Sequence, residues 1–368
     1  MLHPWLGAER CRALCERAAL TIGLGRVTVP VVTGACTQFS YAPGGAPRLF
    51  STEGGWHYPP DTERHAANTL RPKPARWLGK RHPLDRIRDT LEQHGLRCNF
   101  QIDLRGLRGV IEQQPEFACR TAWGEPLPGH PACLNEPAVR QLLRSTIDDL
   151  ANYAPAALML DGLPAESAER ERPRWGVNPE TDELLSVCFC AACREVAAGA
   201  GVDADQAARS VQVHIERLAG GDRASAAAAM REDGVLAAYR TAIRGEMTAW
   251  LARLAGTMST MEAYFVTRVV DGLVYLSEPW RPLLEVRPTD DEDRLDSTSH
   301  VAGAALLNAG AARLPAYRPA LQSSAELVRL TGDLAQAGAR LIEFSGFDAA
   351  PPEAGDWLRQ AVRFARRG

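Results

Sequence analysis

Apolar positions along this chain fall into short runs separated by longer stretches of helical period. Residues 26–33, 97–104, 156–161, 313–317 and 340–344 are brief runs rich in aliphatic and β-branched side chains, the mark of buried strands. Pro30 sits awkwardly in the first of them, because it cannot donate to a ladder. Residues 8–20, 83–94, 138–151, 298–309, 323–337 and 353–366 repeat apolar positions at helical spacing, and 190–256 is helical for most of its length. Runs at 262–270, 274–277 and 283–286 complete an alternation of strand and helix. Strands that are apolar throughout are covered on both faces, so the pattern predicts a mainly parallel sheet wrapped by helices.

Seven or eight strands over 368 residues, with long segments after several of them, predict one (β/α)8 TIM barrel spanning 1–368. Insertions are expected near 34–81, 105–137 and 163–256. A doubly wound open sheet is the rival. Its two usual signs, a Gly-rich fingerprint after the first strand and a phosphate-binding loop, are both missing. The serine-hydrolase elbow and the H-E-x-x-H zinc motif are missing as well.

Composition narrows the partners. Hydrophobic residues make up 45% of the chain and charged residues 24%, enough apolar surface for a sizeable core. A net charge of −3 gives no reason to expect nucleic acid or an anionic membrane. The first twenty residues lack the basic-then-apolar order of a signal peptide, and no apolar run reaches membrane-spanning length. Nine cysteines, an odd number unevenly spread, fit metal-bound and buried thiols in a cytoplasmic protein better than a disulfide framework. Homo-oligomerisation is left open.

The densest chemistry is Cys188-Phe189-Cys190-Ala191-Ala192-Cys193, a C-x-C-x-x-C pattern. Loops this short make poor disulfides, whereas a tight turn can aim several thiolates at one tetrahedral ion. Cys133 is the candidate fourth ligand, with Cys98 and Cys119 as spares. A four-sulfur zinc site has no open position, so the Zn2+ would be structural. The alternative is a set of free thiols. Cys11, Cys15 and Cys36 read as core residues.

The order Cys133-Leu-Asn-Glu-Pro-Ala-Val-Arg140, helix, Leu158-Met-Leu-Asp161, then Cys188-Phe-Cys-Ala-Ala-Cys193 resembles the zinc-containing β-galactosidases of glycoside hydrolase family 42. The run Leu184 to Cys193 also resembles a segment of related bacterial glycosyl-hydrolase-like barrels. The likeness covers residues 120–200 and implies a barrel, a zinc site and carbohydrate chemistry. It departs at one place: the family's strand ends in D-N-E, and here it ends in Asp161-Gly162-Leu163.

Glycosidic cleavage normally needs two carboxyl groups facing the sugar, and in a barrel they come from the carboxyl ends of strands. Asp161 ends an apolar run and is the first candidate. Glu343 lies inside an apolar run, so it is either paired or held as an acid, and the resemblance implies a late nucleophilic Glu. Asp103 is the third, either a site acid or the partner of Arg105. Tyr41, Trp56 and His57, in a loop with Tyr58 and His65, form either a sugar-binding wall or a small core of their own. Arg105 and Glu278, next to Trp280, complete the candidate binding residues. The acidic run 289–293 lacks the central Gly of a calcium loop.

These readings converge on a glycoside-hydrolase-like enzyme acting on a carbohydrate or a glycosylated small molecule. A sugar isomerase, epimerase or lyase of secondary metabolism, and a non-catalytic carbohydrate-binding barrel, are the alternatives.

Overall fold

The computed structural model describes residues 1–40, 48–127, 129–162, 179–220, 223–258, 260–267, 280–285, 311–315, 324–336, 338–347 and 352–366. Tyr41, Glu278, the acidic run, the strand expected at 274–277 and the helix expected at 298–309 lie outside these residues.

Helix α1 (Ala8–Glu16) continues as a π-helical turn to Ile22 and leads into β1 (Arg26–Thr33). The stretch 34–81, expected to be irregular, contains an antiparallel hairpin, β2 (Cys36–Ser40) with β3 (Arg48–Thr52), and the two-residue strand β4 (Gly55–Trp56). Then come α2 (Pro83–Gln93), β5 (Arg97–Asp103), the single turn α3 (Arg108–Ile111), α4 (Pro137–Leu150) and β6 (Ala157–Asp161). A helical region follows: α5 (Pro179–Leu185), α6 (Ala191–Gly199), α7 (Ala204–Ala219), α8 (Arg223–Glu232) and α9 (Gly234–Gly256). The chain continues through β7 (Glu262–Thr267), β8 (Arg281–Glu285), β9 (Ala311–Pro315), α10 (Ser324–Gln336), β10 (Leu341–Ser345) and α11 (Pro352–Ala365). Among the described residues, no helix is long and apolar enough to cross a membrane.

The sheet order is β10-β9-β8-β7-β6-β5-β1-β4. Seven strands are parallel and follow chain order, as the strand–helix alternation predicts, but β4 joins β1 antiparallel. The described sheet is therefore mixed, with edges at β10 and β4, where eight parallel strands in a closed ring were expected. The reason lies on β1. Its free edge is already used: Thr28 accepts from the Leu2 amide at 2.8 Å, Val31 accepts from the His57 amide at 2.8 Å, and β4 pairs with Val32 and Thr33. Pro30 adds to the irregularity, because its missing N–H coincides with a register shift against β5.

The sheet is nonetheless rolled. Arg26 of β1 makes a two-pronged bond to Glu262 of β7, at 2.7 and 3.1 Å, although β5 and β6 stand between those strands in the sheet. Strand residues thus divide into two layers. Val29, Phe100, Ile102, Leu158 and Leu160 pack with apolar side chains of α1, α2, α4 and α11 in the main core. Ala157, Met159, Tyr264, Val266 and Leu283 form a separate inner cluster. Beside it, Thr28, Asn99, Gln101, Asp103 and Asp161 are buried polar side chains.

The Arg26–Glu262 pair generates a prediction. The guanidinium, with the Tyr264 hydroxyl donating to the same carboxylate at 2.8 Å, holds Glu262 down to about 2. A carboxyl group depressed in the folded state stabilises above its unfolded value, and that stability is lost as pH falls toward the folded value. Glu262→Gln should therefore destabilise the protein at neutral pH by about 1 kcal/mol, a figure reduced because the side chain is partly open to water. Denaturant titration at neutral pH and at about pH 2 should show the gap between wild type and variant closing on acidification.

Candidate functional site

Asp103 and Asp161 end β5 and β6 and are register partners on these neighbouring parallel strands. Both are buried, on the same face as Gln101, whose amide donates to Asp161 Oδ2 at 3.0 Å. Arg105 grips Asp103: its Nε lies 2.7 Å from Oδ1 and 2.9 Å from Oδ2, its Nη2 is 2.6 Å from Oδ2, and its own backbone amide donates to Oδ1. Burial lifts the Asp103 carboxyl above the ordinary carboxylate range, and the charge of Asp161 adds to this. Arg105 opposes the rise without cancelling it.

Glycine makes the arrangement sterically feasible. Gly162 has φ +76°, and a Cβ there would stand 2.7 Å from Asp103 Oδ1. The resembled motif has Asn at this place, and its side chain would collide with the Asp103 carboxylate. Gly106, next to Arg105, is equally confined, since a Cβ would lie 2.6 Å from the Thr33 carbonyl. The turn after β5 thus meets the end of β1 backbone against backbone, and the turn after β6 lies against the side chains of Asp103 and Arg105.

Glu343 sits elsewhere. It is buried on β10 and lines a cavity together with Arg26, Thr28 and Asn99, from the amino-terminal halves of β1 and β5. Neither Asp103 nor Asp161 lines that cavity. Of the three candidate acids, the structure brings two together at the carboxyl ends and puts the third in a different setting.

The aromatic loop divides as well. Trp56 is fully buried in the main core and donates its indole N–H to Thr146 of α4 at 3.3 Å. Tyr58 is equally buried. His57 accepts from the Trp77 indole at Nδ1 (3.0 Å), which leaves its protonated Nε2 to meet the Thr33 hydroxyl at 2.7 Å. Burial, helped by His3, pushes His57 down to about 3, so it stays neutral. Trp5 joins this group, stacked on Phe50 at 4.7 Å and edge-on to His57 at 5.0 Å.

The four cysteines converge. Cys133 precedes α4, and Cys188, Cys190 and Cys193 surround the first turn of α6. Their sulfurs all lie within 4.8 Å of one another, with Cys133–Cys193 at 3.5 Å and Cys133–Cys188 at 3.9 Å. These separations are too long for disulfides. They match the edge of about 3.8 Å in a tetrahedron of sulfurs at 2.3 Å from a metal. Asn135 Nδ2 and the Cys190 amide donate to the sulfurs of Cys193 and Cys188 at 3.4 and 3.5 Å, as donors around a thiolate site do. Hydrogen bonding from Cys119 first of all brings Cys133 down to about 5 and Cys188 well below the ordinary thiol range. Cys119 is pushed up by the same contacts.

Sequence reasoning named Cys119 only as a spare, and it overlooked Gln101. The signal for Gln101 was there: Asn99, Gln101 and Asp103 are polar at every second position of an otherwise apolar strand. Cys36, read as core, is half-buried near the charges of Asp103 and Arg105.

No protein-family model matches this chain, and no curated protein matches its sequence. Solved structures do match. An alpha-L-fucosidase isoenzyme 2 from Paenibacillus thiaminolyticus aligns over 98% of this chain and 46% of its own, with a TM-score of 0.55 at 10% identity. A chitobiase from Flavobacterium johnsoniae aligns over 98% of this chain and 48% of its own, at TM-score 0.48 and 11% identity. A GH5-4 broad-specificity endoglucanase from an uncultured bacterium aligns over 97% and 84%, at TM-score 0.43 and 9% identity. The chain spans about half the length of the first two. The fucosidase likeness shows that the α/β fold is of a kind that glycoside hydrolases use.

Proposed function

We propose that this protein is a glycoside-hydrolase-like enzyme that acts on a carbohydrate or glycosylated molecule through Asp161 and Asp103. The register pairing of these two acids carries the reading. Side chains on adjacent strands start about 4.8 Å apart, close to the roughly 5–5.5 Å that separates the carboxyl groups of retaining glycosidases. Carboxyl ends of parallel strands are where barrel enzymes place their chemistry. The fucosidase-like fold supports the same class. Asp103, with its raised proton affinity, suits the proton donor to a leaving oxygen, and Asp161 suits the attacking or base-forming carboxylate. Arg105 and Gln101 would orient the two groups. Glu343 would act outside this pair.

The four contacts from Arg105 favour a second reading. An acid held this firmly serves a binding site as well as a catalytic one, and the protein would then bind sugars without turnover.

Hydrolysis of a panel of aryl glycosides separates the two. On the first reading, Asp161→Asn should lower kcat by at least ~1000-fold with KM little changed, because the lost interaction acts in the transition state. Activity that needs protonated Asp103 should fall as pH rises through its raised pKa, and Asp103→Asn should remove that basic limb of the pH profile. A wild-type protein that binds sugars but cleaves none of the panel sinks the first reading.

Cys133, Cys188, Cys190 and Cys193 would hold a structural Zn2+. The sulfur geometry and the likeness of the C-x-C-x-x-C segment to the family 42 site support this assignment. Its chemistry would be cross-linking only, since four sulfurs leave no position for water or substrate. Elemental analysis should find one zinc per chain. Cys193→Ser should lose it and lower Tm by at least ~5 °C, with helical circular dichroism lost first. Metal-free protein that melts at the same temperature as the metal-bound form would exclude the assignment.

A further inference from the structure

A cavity of about 370 Å3 opens in the seam between β1 and β10. It shares no residue with the acid pair or the cysteine cluster. Its polar lining is unusual in charge. Arg26, Arg97, Arg340 and Arg366 face one carboxylate, Glu343. Arg26 is taken by Glu262, and Arg366 donates to the Gly23 carbonyl. Arg97 and Arg340 are exposed and make no ion pair among the described residues. Guanidinium groups gathered at an opening are a standing receptor for phosphate or carboxylate.

The deep part of the cavity has the opposite character. Asn99 is 1% exposed, and its Oδ1 has no hydrogen-bond partner among the described residues. A buried amide oxygen left without a donor is rare in folded proteins. Thr28 lies beside it, and the walls include Leu14, Phe344 and Phe347. The cavity thus offers acceptors inside, apolar walls between, and cations at the rim. The volume falls in the range of small-molecule sites. Inorganic phosphate alone would leave most of it unfilled, and a neutral sugar would leave the arginines unanswered.

We infer that this cavity binds a small anionic polyol, a sugar phosphate or a sugar acid, with its hydroxyl groups toward Asn99 and Thr28 and its anion toward Arg97 and Arg340. The site is separate from the acid pair and stands whether or not that pair cleaves glycosides.

Isothermal titration of the full chain with D-glucose 6-phosphate, D-gluconate, D-glucose and inorganic phosphate tests it. One of the two anionic polyols should bind at least tenfold more tightly than glucose or phosphate, and which one does identifies the anion. The exposed pair Arg97→Ala/Arg340→Ala should weaken that binding at least tenfold, with an unaltered circular dichroism spectrum. Asp161→Asn should leave it unchanged. Equal affinity for all four compounds, no binding of either anion, or binding that survives the double arginine variant overturns the inference. Binding lost in Asp161→Asn also overturns it, because the ligand would then sit at the acid pair.

Discussion

A charge enclosed by a rolled sheet is tolerable only when it finds a partner, and that constraint orders the interior of this protein. At the amino-terminal end Arg26 reaches across two strands to Glu262, and Tyr264 completes the carboxylate's shell. Higher up, Gln101 donates to Asp161. At the carboxyl end Arg105 closes on Asp103. The first two links join different strands, β1 to β7 and β5 to β6, and so help to fix how the strands roll, whereas the third is local to the end of β5. The outer faces of the same strands need no such care, since Val29, Phe100 and Leu158 lie in the apolar main core.

The seam follows from the same strand that begins the column. Because Leu2, His57 and β4 occupy the outer edge of β1, β10 has no ladder to join among the described residues. Two consequences come from one cause. The sheet stays mixed, and a cavity with its own charge pattern opens between its first and last parallel strands. A closed ring of eight strands would have filled that space with side chains.

Much of this was legible in the sequence, and the failures have physical reasons. Strands β1, β5, β6 and β10 and helices α2, α4, α10 and α11 announced themselves by periodicity, which burial enforces directly. The hairpin β2–β3 did not, because short strands bounded by glycine and proline give no sustained alternation. The cysteine cluster was readable because thiol chemistry needs close spacing along the chain. The acid pair was only half readable. Asp161 and Asp103 each showed as a strand end, but the register of β5 on β6 decides that these two ends meet, and spacing along the chain does not reveal it. The positions of Trp56 in the main core and of Glu343 at the seam were not readable for a related reason: burial of this kind belongs to tertiary structure.

The cysteine cluster is joined to α4 and α9 through one residue. Asn135 donates to Cys193 Sγ and to the Ile243 carbonyl of α9, and accepts from Arg140 of α4. Arg140 in turn bonds Glu246 of α9 at 2.7 Å. The thiol site, the start of α4 and the middle of α9 therefore form a single polar joint, buried at Asn135 and partly open at Glu246. Leu142, Leu143 and Ile147 of α4 lie in the same main core as Leu158 and Leu160 of β6. Loosening the cysteines would loosen the first turn of α4, which Asn135 and Arg140 tie to α9. The four thiols thus act on the fold through the start of the helix that precedes β6 in the chain.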